Sequence, residues 1–584
     1  MFLFHQRSSW SFRPLKIDLA QHAGLFRNCC TRHWLSLVRF RLGHGPRVTV
    51  LDVAGQRQVV VPIDRSCPHV DVHVFQFARR RHEVKAEGER AGNETEAQDG
   101  LPGPPLTKCR HIEMDGEKSV GALQSELETM QACPGKDGLF ADATLSFVSD
   151  PEALVERQRA EYAGAAVVKM RLIASPTVLT LNYAAAREAL SAEQLDSAPF
   201  LNLLLADLVG DTLLTLPHKD PQHQKLQMAA KGALDAAAHA AVHEPSTKIR
   251  FEAALSHQDT KQSLNMYEFA KEPVQEALLD LIIGAMHLSE RTSLRGLLSD
   301  HFKAASAPRI PFAASLFGAR FETQYSKGVR AKDELTQGVF MACLMRENEA
   351  LAKAGAPQCN MKCGAVLCAL AGSGLEGPEI TYLLLLLTSA FIPKTIASLV
   401  SFCLLELCLN PELMHKVRVE MEENEQADDH ASSAVQLPFL EACIQEAVRL
   451  HPPVFACPRS SSGALTLQDH SCPRKSRVLA VIPAANKDPA VYGPDAGAFR
   501  PDRWLSSAGG SASSALATPA PLSFGSGHRF CVGEDLARTL TKLFIVSVLR
   551  AYGNVRLAHG AMQQRPSSKY LPVKQALVPF ELSN

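Results

Sequence analysis

The residues best suited to chemistry lie near the C-terminus, in PLSFGSGHRFCVGEDLAR (521–538). This reads as a glycine-rich loop that presents one cysteine, Cys531, at the start of a helix. Gly525 and Gly527 allow backbone angles that a side chain forbids, and Gly533 lets the helix approach something bulky. Helix amides raise the local positive potential and favour the Cys531 thiolate. Arg529, two residues away, offers a cation to an anionic group on the same ligand. A lone cysteine in such a loop is ordinarily structural, but the complete string asks for a ligand. A thiolate beside a flat, bulky anion is what a haem with its propionates requires.

The string meets F-x-x-G-x-R-x-C-x-G at Phe524, Gly527, Arg529, Cys531 and Gly533. On these residues the chain resembles the cytochrome P450 family of haem-thiolate monooxygenases. Further matches follow in the family's order. Glu446 and Arg449 in EAVR, just before LHPP, resemble its E-x-x-R pair; alone, that spacing is a routine i,i+3 ion pair on a helix. FRPDRW (499–504) resembles F-x-P-E-R-F with Asp502 in place of Glu. The resemblance makes Arg503 the third member of a structural triad with Glu446 and Arg449. PRS (458–460) and PAANKDP (483–489) fall where the family has a propionate-facing arginine, here Arg459, and a strand connection.

The resemblance covers residues 135–584 and implies a haem domain there, with a mainly α fold and minor β structure. It implies haem b with Cys531 as the metal ligand, surrounded by Phe524, Arg529, Gly533, Arg459 and His223. The activity it implies is oxidation of a hydrophobic small molecule, sterol, terpenoid or fatty-acid-like, by a monomer. Dioxygen is the oxidant and a reductase or ferredoxin the electron donor. The order SDPEALVERQRAEYA through ARFETQYSKGVRAKDELTQ looks closest to the branch acting on sterols, retinoids and other terpenoids. Substrate contacts are expected from residues 201–216, 309–321, 390–395 and 454–457.

Two departures qualify the resemblance. The family's helix over the haem reads A-G-x-acid-T, its acid and alcohol relaying protons to bound oxygen. Counting back from NPE (410–412) puts Thr395 on the threonine, preceded by Phe391, Ile392, Pro393 and Lys394. The glycine becomes Ile392, the acid becomes Lys394, and Pro393 sits mid-helix, where it removes a donor and kinks the helix. Lys394 can donate a proton to water but does not cycle as a carboxylate does. Counting forward from EITYLLLLL puts Lys394 itself on the threonine, so Lys394 and Thr395 are both catalytic candidates. The second departure is LPHKDPQHQKLQ (216–227). His223 stands where the family has an aromatic residue or histidine reaching a propionate, but Gln227 replaces the arginine that follows. Either Lys225 substitutes, or His223 and Arg459 hold this propionate alone; a solvent-exposed helix histidine is the competing reading of His223.

The altered distal helix leaves two other functions open. One is a haem-thiolate isomerase or dehydratase of a lipid hydroperoxide, needing no dioxygen. The other is a haem-binding sensor or carrier without turnover.

The elements that must position these residues are mostly helical. SDPEALVERQRAEYA has an acidic cap signal, Pro151 in its first turn and an apolar stripe. AVVKMRLIASPTVLTLN (166–182) alternates around a Ser-Pro turn and reads as a hairpin; YAAAREALS returns to helix. From 201 to 449 nearly every long segment has helical period, and the last third mixes helices with short strands. The apolar run 380–405 tempts a membrane reading, but Pro393 and Lys394 in its middle favour a buried helix. CNMKC (359–363) has metal-like cysteines with no second pair at ligand spacing.

Composition sets the outer limits. In 584 residues, 46% are hydrophobic and 21% charged, which excludes wholesale disorder. Sixty-one basic residues balance 61 acidic ones, so no nucleic-acid partner is expected. A mean hydropathy of -0.05 excludes a polytopic membrane protein, and 15 cysteines are too few for a disulfide scaffold. Residues 1–46 carry seven Arg or Lys and one acid, Asp18, as an organelle transit peptide (plastid or mitochondrion) or a basic tail does. Trp34 to Leu42 would also suit a basic amphipathic segment in peripheral contact with a membrane surface. Residues 47–134 read as an extension: a β-like stretch, VTVLDVAGQRQVVVP (48–62), then linker rich in charge, Gly and Pro.

Overall fold

The computed structural model describes residues 47–51 and 58–62, and residues 131–583 apart from 137, 139–141, 174, 259–261, 308–321, 355–363, 428–435, 462, 464, 473–475, 506–517 and 559–572. The basic N-terminus, the linker up to residue 130, the 309–321 substrate segment and CNMKC lie outside the described residues. The chain divides into two units, residues 1–111 and 112–584. In the first, Arg47–Leu51 and Gln58–Pro62 pair as an antiparallel hairpin, Arg47 opposite Pro62 and Leu51 opposite Gln58.

The second unit is mainly helical. Its longer helices are α1 (Pro151–Glu161), α2 (Tyr183–Ser191), α3 (Ala198–Val209), α4 (Pro221–His243), α5 (Pro245–Ser256), α6 (Met266–Ile282), α7 (Leu288–Ala304) and α8 (Gln324–Asp333). They continue with α9 (Phe340–Ala354), α10 (Gly377–Leu387), α11 (Phe391–Leu409), α12 (Pro411–Ala427), α13 (Pro438–Leu450) and α14 (Glu534–Ala551). Local chemistry starts several of them. Asp150 caps α1 by accepting from the Ala153 amide, with Pro151 at the first helical position. Asn182 does the same for α2, and Asp220 with Pro221 for α4.

A five-stranded sheet runs in the spatial order Gly135–Lys136, Val167–Leu172, Ser175–Thr180, Arg477–Val481, Ala456–Ser460. The last strand carries Arg459 opposite Val478. A second sheet joins Gln131–Ala132 to His470–Cys472 and Leu465–Leu467. Residues 131–134, read from composition as linker, therefore belong to the sheet region, and Cys133 is buried. A tight cluster of Gly and charge resembles a linker in sequence, but backbone pairing to a distant strand overrides composition. The expected hairpin is present with its turn displaced. Leu172 pairs with Ser175, so Ser175 and Pro176 begin the second strand, and the chain turns at Ile173, whose φ is 50°. Proline is tolerated there because a strand's first residues need not donate to the ladder.

The main core gathers α4, α5, α6, α10, α11, α13 and α14, with Phe251, Phe402 and Phe544 among its largest buried side chains. A smaller core lies between the five-stranded sheet and α2. Residues 377–409 form the stretch, among those described, that is long and apolar enough to cross a membrane. They divide into α10 and α11, and Ile396 to Leu405 are buried in the main core.

Candidate haem-thiolate site

Cys531 sits in a loop held from both sides. Its amide donates to the Phe524 carbonyl at 2.8 Å, and the Gly525 amide to the Leu522 carbonyl at 2.9 Å. Gly527 has φ +66°, and a Cβ there would lie 2.7 Å from the Ser191 Cα of α2, so only glycine fits. At Gly533 a Cβ would meet Leu234 of α4 at 3.4 Å; the bulky neighbour of this glycine is a protein helix. Phe524 lies under the Arg538 guanidinium, 5.1 Å from its ring centre.

The triad closes as the motifs imply. Arg449 and Glu446 are both completely buried, with Arg449 Nη2 donating to Glu446 Oε1 at 2.7 Å and Nε to Oε2 at 2.9 Å. Arg503 Nε reaches Glu446 Oε1 at 3.0 Å, and Trp504 Nε1 reaches Oε2 at 2.8 Å. Burial pushes Glu446 up, but the hydrogen bonds and charge of Arg449 outweigh it and leave the carboxyl below its ordinary value. Motif reading missed the link to the cysteine loop, Asn486. Its carbonyl accepts from Arg449 Nη1 at 2.8 Å, its Oδ1 accepts from the Leu522 amide at 2.8 Å, and its Nδ2 donates to Ser523 Oγ at 2.8 Å. The signal was the asparagine in PAANKDP, whose partners lie 36 and 37 positions away.

Three expectations at the cysteine loop need correction. Helix amides were expected to favour the thiolate, but burial raises the Cys531 thiol above its ordinary value. The Gly533 amide opposes this, while Glu534 and Asp535 in the first turn of α14 add to it. Arg529 was expected to face an anionic ligand, but it is already engaged. Its Nε and Nη2 donate to Asp196 Oδ1 at 3.1 and 2.6 Å, and Nη1 and Nη2 each give one hydrogen to the Leu213 and Leu216 carbonyls. Lys225 does not substitute for the missing arginine: it pairs with Glu379 at 3.3 Å, half-exposed. Gln227 instead donates to the His528 carbonyl at 3.1 Å and braces the loop.

His223 is buried, 2% exposed, which removes the surface reading. Burial, reinforced by the Arg529 charge, lowers its pKa to about 4 and keeps it neutral. Arg459 is 3% exposed. Asp196, which no motif indicated, is the acid of this cluster. Burial alone would raise it, but the His218 and Ala198 amides and Arg529 hold it at about 2. Its sequence setting, before Ser-Ala-Pro at the head of α3, signals only a helix cap.

The distal helix differs most from expectation. Pro393 is not mid-helix: the chain breaks between Leu387 and Phe391, and Pro393 lies in the first turn of α11. The Ser389 carbonyl, which a continuous helix would pair with position 393, accepts from the Ile392 amide at 3.0 Å. Proline in a first turn sacrifices no bond. Thr395 Oγ1 donates to the Ile392 carbonyl at 2.7 Å. Lys394 Nζ stands 3.6 Å from the centre of the Phe302 ring of α7, and its pKa is lowered by burial, with Lys271 nearby adding to the shift.

A haem fits these residues. Cys531 is solvent-accessible, yet its thiol is desolvated by the surrounding protein, as on the wall of a recess. Three buried nitrogens of the cationic cluster, His218 Nε2, His223 Nδ1 and Arg459 Nε, have no hydrogen-bond partner. Buried polar groups are rarely left unpaired, so such a cluster calls for an anion. The family model for cytochrome P450 matches residues 154–571, well over half of the chain. The chain belongs to the cytochrome P450 family. That membership implies a haem cofactor.

Curated relatives are similar over a shorter stretch. Cytochrome P450 monooxygenase sphH of Aspergillus fumigatus is 26% identical over 195 residues, 32% of this chain and 36% of that protein. Corytuberine synthase of Coptis japonica is 34% identical over 27% of this chain and 32% of its own length. The matched stretch thus spans about a third of these relatives. Among solved structures, retinoic acid-bound cyanobacterial CYP120A1 superposes with a TM-score of 0.60 at 20% identity, over 78% of this chain and 99% of that one. That likeness establishes the fold.

Proposed function

We propose that this P450 is a haem-thiolate monooxygenase that oxidises a hydrophobic small molecule with dioxygen and electrons from a reductase or ferredoxin. The observation that carries the reading is Cys531, accessible in a loop braced by Asn486 and the Glu446 triad, in a region where His218, His223 and Arg459 each keep one buried nitrogen unpaired. Cys531 would ligate haem b, with His223 and Arg459 toward its anionic edge. When bound, the haem would supply dioxygen activation. Cys531 would give up its proton on ligation; because burial raises the thiol, ligation and deprotonation would be coupled. Phe524 and Gly533 shape the loop, and Arg529 orders its approach to Asp196 instead of facing the cofactor. Lys394 and Thr395, at the head of α11, are the groups proposed to manage protons there. Sterols, terpenoids and fatty-acid-like molecules are the proposed substrate range. The basic N-terminus is proposed to direct the protein to an organelle or a membrane surface.

The test is a pair of measurements. The reduced carbon-monoxide adduct should show the strongly red-shifted Soret band of a thiolate ligand. Reduced nicotinamide and dioxygen should be consumed with formation of an oxygenated product. One observation favours a second reading: Lys394 stands where the family has an acid, and among the described residues it meets the Phe302 ring and no carboxylate within ion-pair distance. A haem-thiolate isomerase or dehydratase of a lipid hydroperoxide would turn over without dioxygen or reductant, and that outcome would replace the monooxygenase.

A further inference from the structure

We propose that His218, positioned by Asp196, is an additional ligand for the haem's anionic edge and replaces the arginine whose place Gln227 takes. The proposal rests on the haem-thiolate reading above. Asp196 grips His218 twice through one oxygen, accepting from its amide at 2.8 Å and standing 2.9 Å from its Nδ1. The ring is fixed from a second side by stacking on His528, with centroids 3.6 Å apart and planes 23° apart. His528 is held in turn by the Leu195 carbonyl, 3.2 Å from its Nε2. Asp196 belongs to the same framework as Arg459, since its backbone exchanges two hydrogen bonds with Ser460 at 2.8 and 3.2 Å.

An imidazole braced on two sides while its remaining nitrogen is buried and unpaired is a receptor group awaiting a partner. With Asp196 ionised, Nδ1 must carry the hydrogen, which leaves Nε2 as the free position. Held as an imidazolium, the ring would offer its Nε2–H to an anionic oxygen while Nδ1–H stays on Asp196, 2.9 Å away, so that it would lie between two carboxylates. Gln227 does not fill the arginine's place at this edge, because its amide donates to the His528 carbonyl.

The test uses the apo-protein with haem and with haem dimethyl ester, whose propionates cannot accept as carboxylates. The wild type should prefer haem to the ester. His218→Phe, which keeps a ring to stack on His528, should lose about 10- to 100-fold of that preference, the worth of a hydrogen bond to a charged group. His218→Gln, which retains a donor, should recover most of it and guards against a folding defect. Unchanged preference in the Phe variant overturns the proposal, as does a Gln variant that loses as much as Phe. The thiolate band of the carbon-monoxide adduct should persist in both variants. Its absence from the wild type would defeat the haem-thiolate reading instead, so the two failures are distinguishable.

Discussion

Two buried polar networks flank the Cys531 loop and differ in how completely they are paired. Around Glu446 both carboxylate oxygens are saturated by Arg449, Arg503 and Trp504, and Arg449 spends its remaining hydrogens on the Asn486, Ala496 and Ala498 carbonyls. Around Asp196 the acid is equally saturated, yet His218, His223 and Arg459 each keep a buried nitrogen without a partner. Desolvated charge is tolerable in the first network because protein answers it. In the second, part of the answer is proposed to come from a ligand. One network then acts as a brace and the other as the proposed receptor, and the loop carrying Cys531 is stretched between them.

The largest test of that contrast is the loop itself. Cys531→Ala should abolish the thiolate band completely while circular dichroism shows the helical content intact; a variant that kept the band would remove the ligand assignment. Next is the brace. Glu446→Ala strands two buried guanidinium groups and should cost about 3–5 kcal/mol of unfolding free energy, read by denaturant titration. If Glu446→Ala instead left stability untouched, the network would not be the brace described.

The receptor should show itself in pH. His223 has a folded pKa of about 4, below the usual 6.5. The haem-free protein therefore holds this stability in full above pH 6.5 and loses it progressively as pH falls from there through about 4, by about 3 kcal/mol. Asp196, at about 2 against 3.8, adds a later loss, present in full above pH 3.8 and gone once pH falls through about 2. His223→Phe should flatten the upper part of the acid-stability curve and leave the lower part. The smallest expected effect is at the distal helix. Lys394→Asp should raise product formed per electron pair roughly two- to tenfold if proton delivery limits turnover, and Thr395→Ala should lower it. Lys394→Met should cost about 0.5–1 kcal/mol through loss of the contact on Phe302. Unchanged coupling in both the Asp and Ala variants would remove the catalytic role given to this pair.

The brace was far more legible in the sequence than the receptor. Glu446 and Arg449 are one helical turn apart, and Arg503 sits in its own recognisable string, so the family resemblance of two short motifs brought out the network. Asp196 and Arg529 meet across 333 positions, and nothing local marks the acid as more than a helix cap. Arg529 was misjudged for that reason: a cation near the cysteine was visible, its distant counter-ion was not. The distal helix failed differently. Pro393 was rightly seen as a disturbance, but a proline breaks a helix only where its missing amide is needed, and where the helix starts is set by packing between α10 and α11.

The amino-acid order alone determined the family, the helical class, the cysteine proposed as metal ligand and the identity of the brace. These rest on contiguous motifs and on the 3.6-residue period, both short-range properties of a chain. Only the tertiary structure decided which charges are spent on protein and which remain for a ligand. Whether Arg529, His218, His223 and Lys394 face a carboxylate, an aromatic ring or an open recess depends on segments brought together across the fold. Burial, which moves the Cys531 thiol up and His223 down, exists only once those segments have closed around them.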